Sequence, residues 1–455
     1  MKMGSIRKNI DKKKWRWCFF VGEKVISGMI FENEAYLNCG ASCWHPTLWR
    51  KRFRCKRPVE TSSERISRSL EISSLPKPIR LTIVGQSNKL PMSSTKFLSF
   101  VAGAAAFLSF NLNAAETDPV GAISLTFKAN SDTAFSVPLH RSAEFSGVIA
   151  DAGVDGFTLS ADGTPGWSTG QFVDAPYYVL MMDGPMEGMY YTVLGNSTGE
   201  VTVEDIGAGD LAGQGIAAGQ KFQVIPYWTL NSLFPDGEGI PASSNVGSPQ
   251  GLVLFTNQNS AGTNIPLGLS YLYHDGSQGP EGWYLNGNIA EGLQNDVAFT
   301  PDSFYVVRNL TPSDEQFNLV GAVRMADHKT ILSRIQTGLR QDNFVGFTFP
   351  VPTTLAESGL QSSPAFEASS DVGNPADVLL VYNNSSVGFN KPPSLGYLYH
   401  DGSQGPAGWY ILGDIAAGVQ NDTEVFIPGN GYIVRKNVGE SGSNIWSADP
   451  SYDSN

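Results

Sequence analysis

The chain has 455 residues with 31 basic and 43 acidic side chains, enough for two or three domains of ordinary size. The charge is unevenly placed: up to Pro91 there are 19 Lys/Arg and 7 Asp/Glu, and after it 12 and 36. All four cysteines (Cys18, Cys39, Cys43, Cys55) precede Pro91, so no disulfide supports the acidic remainder. Its charge argues against nucleic acid and anionic membrane as partners.

Residues 1–91 are basic, carry turn-prone runs such as Ser73-Ser-Leu-Pro-Lys-Pro78, and show no sustained hydrophobic period. They read as a disordered, non-native upstream extension. A zinc site at Cys39-x3-Cys43 would need a second close ligand pair, and Cys18, Cys55 and His45 do not supply one. Residues 92–115 have the layout of a signal peptide. Lys96 gives a basic start, Phe97 to Phe110 an apolar run, and Ala114-Ala115 a small-residue cleavage site before Glu116. The run is shorter than the ~20 residues that a spanning helix needs. Export to the periplasm or the exterior is expected, with no membrane insertion after processing.

The next expected unit is a divergent β module over 116–226, with strand-like Tyr177-Tyr-Val-Leu180. Its Phe135-Ser-Val-Pro-Leu139 echoes Phe347-Thr-Phe-Pro-Val351. Two clearer copies follow. Tyr271-Leu-Tyr-His-Asp-Gly-Ser-Gln-Gly-Pro-Glu-Gly-Trp-Tyr284 returns as Tyr397–Tyr410 with one change, Glu281 to Ala407. The match continues through Asn288–Asp296 and Asp414–Asp422, and then through Tyr305-Val-Val-Arg308 and Tyr432-Ile-Val-Arg435. This is a duplicated module, placed at 227–309 and 345–437, with a connection at 310–344 and a polar tail at 438–455. Leu267, Leu269, Tyr271 and Tyr273 alternate as one strand face, with Leu272 as an exception. Gly, Asp, Asn and Pro punctuate each module at strand-and-turn spacing. The expected fold is therefore all-β, with tandem sandwich or barrel-like modules. Only Met325–Leu339 reads as a candidate helix. Pro301-Asp-Ser-Phe-Tyr305 lacks both glycines of Pro428-Gly-Asn-Gly-Tyr432, so its turn is expected to differ.

The order Phe-x-x-Pro, Thr-Leu, Tyr-x-Tyr, Gly-Trp and Pro-Gly-x-Gly-Tyr-x-Val, with Trp228-Thr-Leu-Asn-Ser-Leu-Phe234, resembles a family of uncharacterised exported β-repeat proteins of verrucomicrobial-type bacteria. The resemblance spans nearly all of the chain after the signal segment and none of residues 1–91. Its motifs are structural, and it implies no activity.

Residues that could carry chemistry are few. His274-Asp275 and His400-Asp401 are neighbours in sequence, which in a strand points them to opposite faces. Both histidines read as surface residues beside a turn. No cysteine nucleophile follows Cys55, and no acidic pair is singled out for glycoside cleavage. One Asp in each Asp-Gly-Ser-Gln-Gly loop, even with Asp296 or Asp422, is thin for calcium, which takes six to eight oxygens. No cofactor is expected. Trp283, Tyr284, Trp409 and Tyr410 are the candidates for a sugar-stacking platform, although core packing suits all four better. The expectation is a non-enzymatic structural or adhesive protein, its partners polysaccharide or envelope components. The alternatives are an extracellular glycan-binding protein and a secreted hydrolase.

Overall fold

The computed structural model describes residues 118–152 and 156–452, and upstream only the backbone of short strands. These are β1 (Phe20–Val21) paired with β2 (Lys24–Val25), and β3 (Ile66–Glu71) paired with β4 (Arg80–Gly85). The expected disorder of the remainder of 1–91, the Cys39/Cys43 pair and the signal segment 92–115 lie outside the described residues. The chain divides into two compact units, Met1–Asn111 and Leu112–Asn455. All further elements belong to the second.

That unit is all-β. Among the described residues the one α-helical segment is α1 (Leu230–Leu233), a single turn capped by the Thr229 hydroxyl, which accepts from Ser232 N at 3.2 Å. Two copies of one domain can be traced. The first contains β5 (Val120–Phe127), β6 (Ser131–Ser136), β13 (Trp228–Thr229), β14 (Gly251–Phe255), β15 (Ser270–His274), β16 (Gly282–Leu285), β17 (Ala298–Phe299), β18 (Phe304–Asn309) and β19 (Glu315–Ala322). The second contains β20 (His328–Arg334), β21 (Gln341–Gly346), β22 (Thr353–Thr354), β23 (Val378–Val381), β24 (Leu395–His400), β25 (Gly408–Ile411), β26 (Glu424–Phe426), β27 (Gly431–Lys436) and β28 (Gly442–Ala448). Each forms a five-stranded antiparallel sheet of the same order, β16-β15-β14-β18-β6 and β25-β24-β23-β27-β21. In each, the first strand pairs with the last, β5 with β19 and β20 with β28.

Between β6 and β13 the chain builds a closed six-stranded barrel. Its strands are β7 (Phe145–Asp151), β8 (Thr158–Ala161), β9 (Tyr177–Met181), β10 (Tyr190–Asn196), β11 (Glu200–Val203) and β12 (Lys221–Pro226), in the order β10-β11-β8-β7-β12-β9. Leu159, Val179, Tyr191, Val201, Phe222 and Val224 fill its interior. Closure leaves no unpaired sheet edge.

Several expected boundaries are corrected by these pairings. Residues 116–226 are not one divergent module: β5 and β6 belong to the first domain, and the rest is a barrel of different architecture. The expected connection at 310–344 carries β19, β20 and most of β21. The expected polar tail carries β28, whose Trp446 is fully buried and packs on Phe347 at 5.5 Å. The candidate helix at 325–339 is the strand β20, because its residues pair from His328↔Ala448 to Arg334↔Gly442. That partner is too distant in sequence for local periodicity to register.

The two domains clasp each other reciprocally. Asn264, in the loop after β14, donates its backbone N–H to Asp342 of β21 at 2.7 Å and accepts from Arg435 at 2.9 Å. Asn390, in the loop after β23, donates to Asp132 of β6 at 2.6 Å and accepts from Arg308 at 2.8 Å. Arg435 holds Asp342 with two hydrogen bonds, and Arg308 holds Asp132 in the same way. Such exchange of equivalent contacts marks an isologous, twofold-like interface within one chain. Between the sheets lies an apolar layer that includes Leu254, Leu272, Phe304, Phe344, Leu380 and Ile433. It accounts for the Leu272 exception: Tyr271 and Tyr273 face their own domain's core, while Leu272 faces the other domain. Leu269, expected on the core face, is instead exposed at the strand's start.

Candidate functional site

The longest near-identity between the domains is the hairpin β15–β16 and its counterpart β24–β25. In both, the chain leaves a buried strand at histidine, crosses an exposed tip, and returns through glycine to tryptophan. His274 and His400 are 2% exposed, which corrects their expected place on the surface. Each accepts at Nδ1 from the glycine two residues on, Gly276 or Gly402, at 3.1 Å. Asp275 and Asp401 accept from the backbone N–H of Ser277 and Ser403 at 2.9 and 2.8 Å, the geometry of an Asx turn. Hydrogen bonding from these serines holds both exposed carboxyls below the usual carboxylate range. The serine hydroxyls donate across the tip to Ser244 O and Ser370 O.

The return strand is fixed with equal economy. Gly282 and Gly408 adopt φ of +138° and +152°, and a β-carbon would stand 2.8 Å from Leu293 or 2.7 Å from Val419. Only glycine fits there. Asn295 and Asn421 then accept from the N–H of Trp283 and Trp409 at 3.0 and 2.9 Å. Tyr284 and Tyr410 donate to Pro280 O and Pro406 O, both at 2.9 Å.

The expected sugar-stacking platform does not form. Trp283 and Trp409 are fully buried, and Tyr284 and Tyr410 are nearly so. Trp283 packs on Tyr273 and Phe234, and Trp409 on Tyr399 and Phe366. The two tryptophans follow glycine on an edge strand, but their rings turn into the core of their own domain. In each loop one oxygen of the aspartate caps a backbone N–H, the turn reading of Asp-Gly. Among the described residues no three His, Cys, Asp or Glu side chains gather to hold a metal.

The exposed tip runs over 275–281 and 401–407, with Gln278-Gly279-Pro280 and Gln404-Gly405-Pro406 at its centre. Neither glutamine side chain makes a hydrogen bond among the described residues. Beside the second tip lies a pocket of about 390 Å³, bordered by His400, Gln404, Pro406, Tyr410, Ile415 and Val419. His400 Nε2 is buried there with no partner. Ile415 and Val419 are 42% and 40% exposed, and their counterparts Ile289 and Leu293 are 48% and 45% exposed. Both copies thus carry a polar tip beside an aliphatic rim.

The fold and these tips define an all-β protein of two interlocked copies of one domain, with a barrel inserted in the first. Comparison with protein-family models, with curated proteins and with solved structures gives no match.

Proposed function

We propose that this is an exported, non-catalytic adhesive protein that presents one recognition loop twice. A single observation carries the reading. The loop's histidine, aspartate, serine, glycine, tryptophan and tyrosine and the carbonyls of Pro280 and Pro406 are held by hydrogen bonds or close approach, whereas the exposed Gln278 and Gln404 side chains, identical in both copies, make no hydrogen bond among the described residues. Elsewhere the copies have drifted, as Gly251-Leu-Val-Leu-Phe255 against Asp377-Val-Leu-Leu-Val381 illustrates. Identity of these two glutamines without an internal hydrogen bond to require it supports a shared external partner, an envelope component or polysaccharide. The signal-peptide layout at 92–115 supports export, and the likeness to exported verrucomicrobial-type β-repeat proteins fits the same reading.

Two linked sites gain by effective concentration, commonly by about 10²–10⁴ over one. Retention on isolated bacterial envelopes and on insoluble polysaccharides is the test. Gln278→Ala and Gln404→Ala should each weaken retention, and the double variant should lose it without a change in melting temperature. Full retention of the double variant would refute the proposal.

A further inference from the structure

A second site lies away from the loops, where the barrel meets both repeated domains. A cleft of about 560 Å³ opens there, within the usual size range of small-molecule pockets. Tyr190 and Glu204 line it from the barrel, Asn259 and Asp302 from the first domain, and Thr330 and Asn343 from the second. Convergence of all three parts on one cavity is the usual setting of a ligand site.

Its chemistry is specific. Asp302 accepts from the Tyr190 hydroxyl at 2.7 Å and from the Thr330 hydroxyl. Glu204 accepts through Oε1 from Thr192, both backbone at 3.0 Å and hydroxyl at 2.7 Å. Thr192 in turn meets the Tyr227 hydroxyl at 3.0 Å. The two carboxylates are thereby oriented, and each keeps acceptor capacity unused. No lysine, arginine or histidine lines the cleft, so an anionic ligand has no counter-charge. The buried Arg324 acts electrostatically on Asp302 and opposes the upward push of burial on its carboxyl. Amides, hydroxyls and carboxylates, with Ile206 and Phe344 as apolar wall, suit a ligand that donates through many hydroxyls and offers C–H faces.

Asp302 also breaks the repeat. Its counterpart is Gly429, where a β-carbon would stand 2.8 Å from Leu125. The first domain is therefore alone in placing a carboxylate at this turn, on the side that the barrel covers.

We propose that this cleft binds an uncharged polyhydroxylated ligand, a short neutral saccharide, with Glu204 and Asp302 accepting from its hydroxyls. The experiment is calorimetric titration of the protein with neutral malto-, cello-, xylo- and laminari-hexaose, and with spermidine and oligogalacturonate as charged probes. At least one neutral hexaose should bind, and Glu204→Gln and Asp302→Asn should each weaken it by about tenfold, the scale of a charge-assisted hydrogen bond. Asp302→Asn keeps a partner for both hydroxyls, which can reverse their donor role, so its melting temperature should stay close to the parent's. Binding of none of the four hexaoses, preference for a charged probe, or hexaose affinity unmoved in both variants would each overturn the proposal.

Discussion

Phe304 lies against Gly431 across the interface of the two repeated domains, and a β-carbon on Gly431 would stand 2.6 Å from its ring. The two positions are equivalent in the duplicated pattern, so one bulky residue and one without a side chain share a single space. The loss of glycine from the first copy's turn is therefore matched by its retention in the second. Both turns are still closed alike, with the Tyr305 hydroxyl accepting from Thr300 N and the Tyr432 hydroxyl from Ile427 N, each at 2.6 Å.

Gly431→Ala should therefore overpack the interface and cost about 1–3 kcal/mol. Phe304→Ala should cost about 3–5 kcal/mol by leaving a cavity. Contacting residues do not add, so the double variant should cost less than the sum in urea unfolding. Strict additivity would show that the two do not share space.

The reciprocal Asp–Arg clasps differ in depth. The Asp342 side chain is 0% exposed beneath an Arg435 that is 21% exposed, while Asp132 is 9% exposed beneath Arg308. Arg435→Leu strands a buried carboxylate and should cost about 2–3 kcal/mol, below the figure for a wholly buried pair because Arg435 is partly solvated. Arg308→Leu should cost less. Lysine at 435 should recover only part of the loss, since it cannot reproduce the two-pronged contact. Equal costs at the two clasps would contradict this ordering, which denaturant midpoints can measure.

His328 gives the fold a pH dependence of definite sign. It is fully buried between Phe347 and Trp446, with Nδ1 on the Thr348 hydroxyl at 3.1 Å. Burial, and then the charge of Arg324, push its pKa well below the ordinary value near 6.5. The unfolded chain takes up this proton below about pH 6.5 while the folded chain does not. Stability present above that pH should then fall as pH drops, by up to ~1.4 kcal/mol per unit from this group. The raised pKa of Asp302 acts in the opposite direction at more acid pH, so the variant must be compared with its parent at each pH. The stability advantage of the parent over His328→Asn should shrink between about pH 7 and pH 5. A constant difference would place a protonated histidine in the core.

Trp283, Trp409 and Trp446 are fully buried, and replacing any one by Ala should cost about 3–5 kcal/mol in thermal or urea unfolding. Removal of the residues after Asn437 takes away β28 and Trp446 together, and should leave the second domain without cooperative unfolding. A truncated chain that melts like its parent would show that the strand is dispensable.

Fold class and duplication were legible because strand periods, turn residues and near-identity are local properties. The core role of Trp283 and Trp409 was legible too, from their recurrence among short strands. Domain boundaries were not. The first domain closes through contacts such as the Ser124 hydroxyl donating to Asn318, 194 residues away, and the barrel lies between its second and third strands. The pairing of Phe135–Leu139 with Phe347–Val351 was the trace of this, since it aligned the first domain's start with the second domain's start. The cleft also left one trace, the replacement of a repeat glycine by Asp302. That departure signalled an altered turn, but its meaning depends on Tyr190 and Thr330, which no spacing rule brings to it.

The barrel leaves the first domain after His140 and returns at Trp228, whose indole N–H donates to Leu139 O at 2.8 Å. Its two points of attachment are thus neighbours. The barrel is in effect a cassette on a socket. Because it supplies Tyr190 and Glu204 to the cleft, substitutions within this one segment would, on the proposed reading of that cleft, retune which ligand is held.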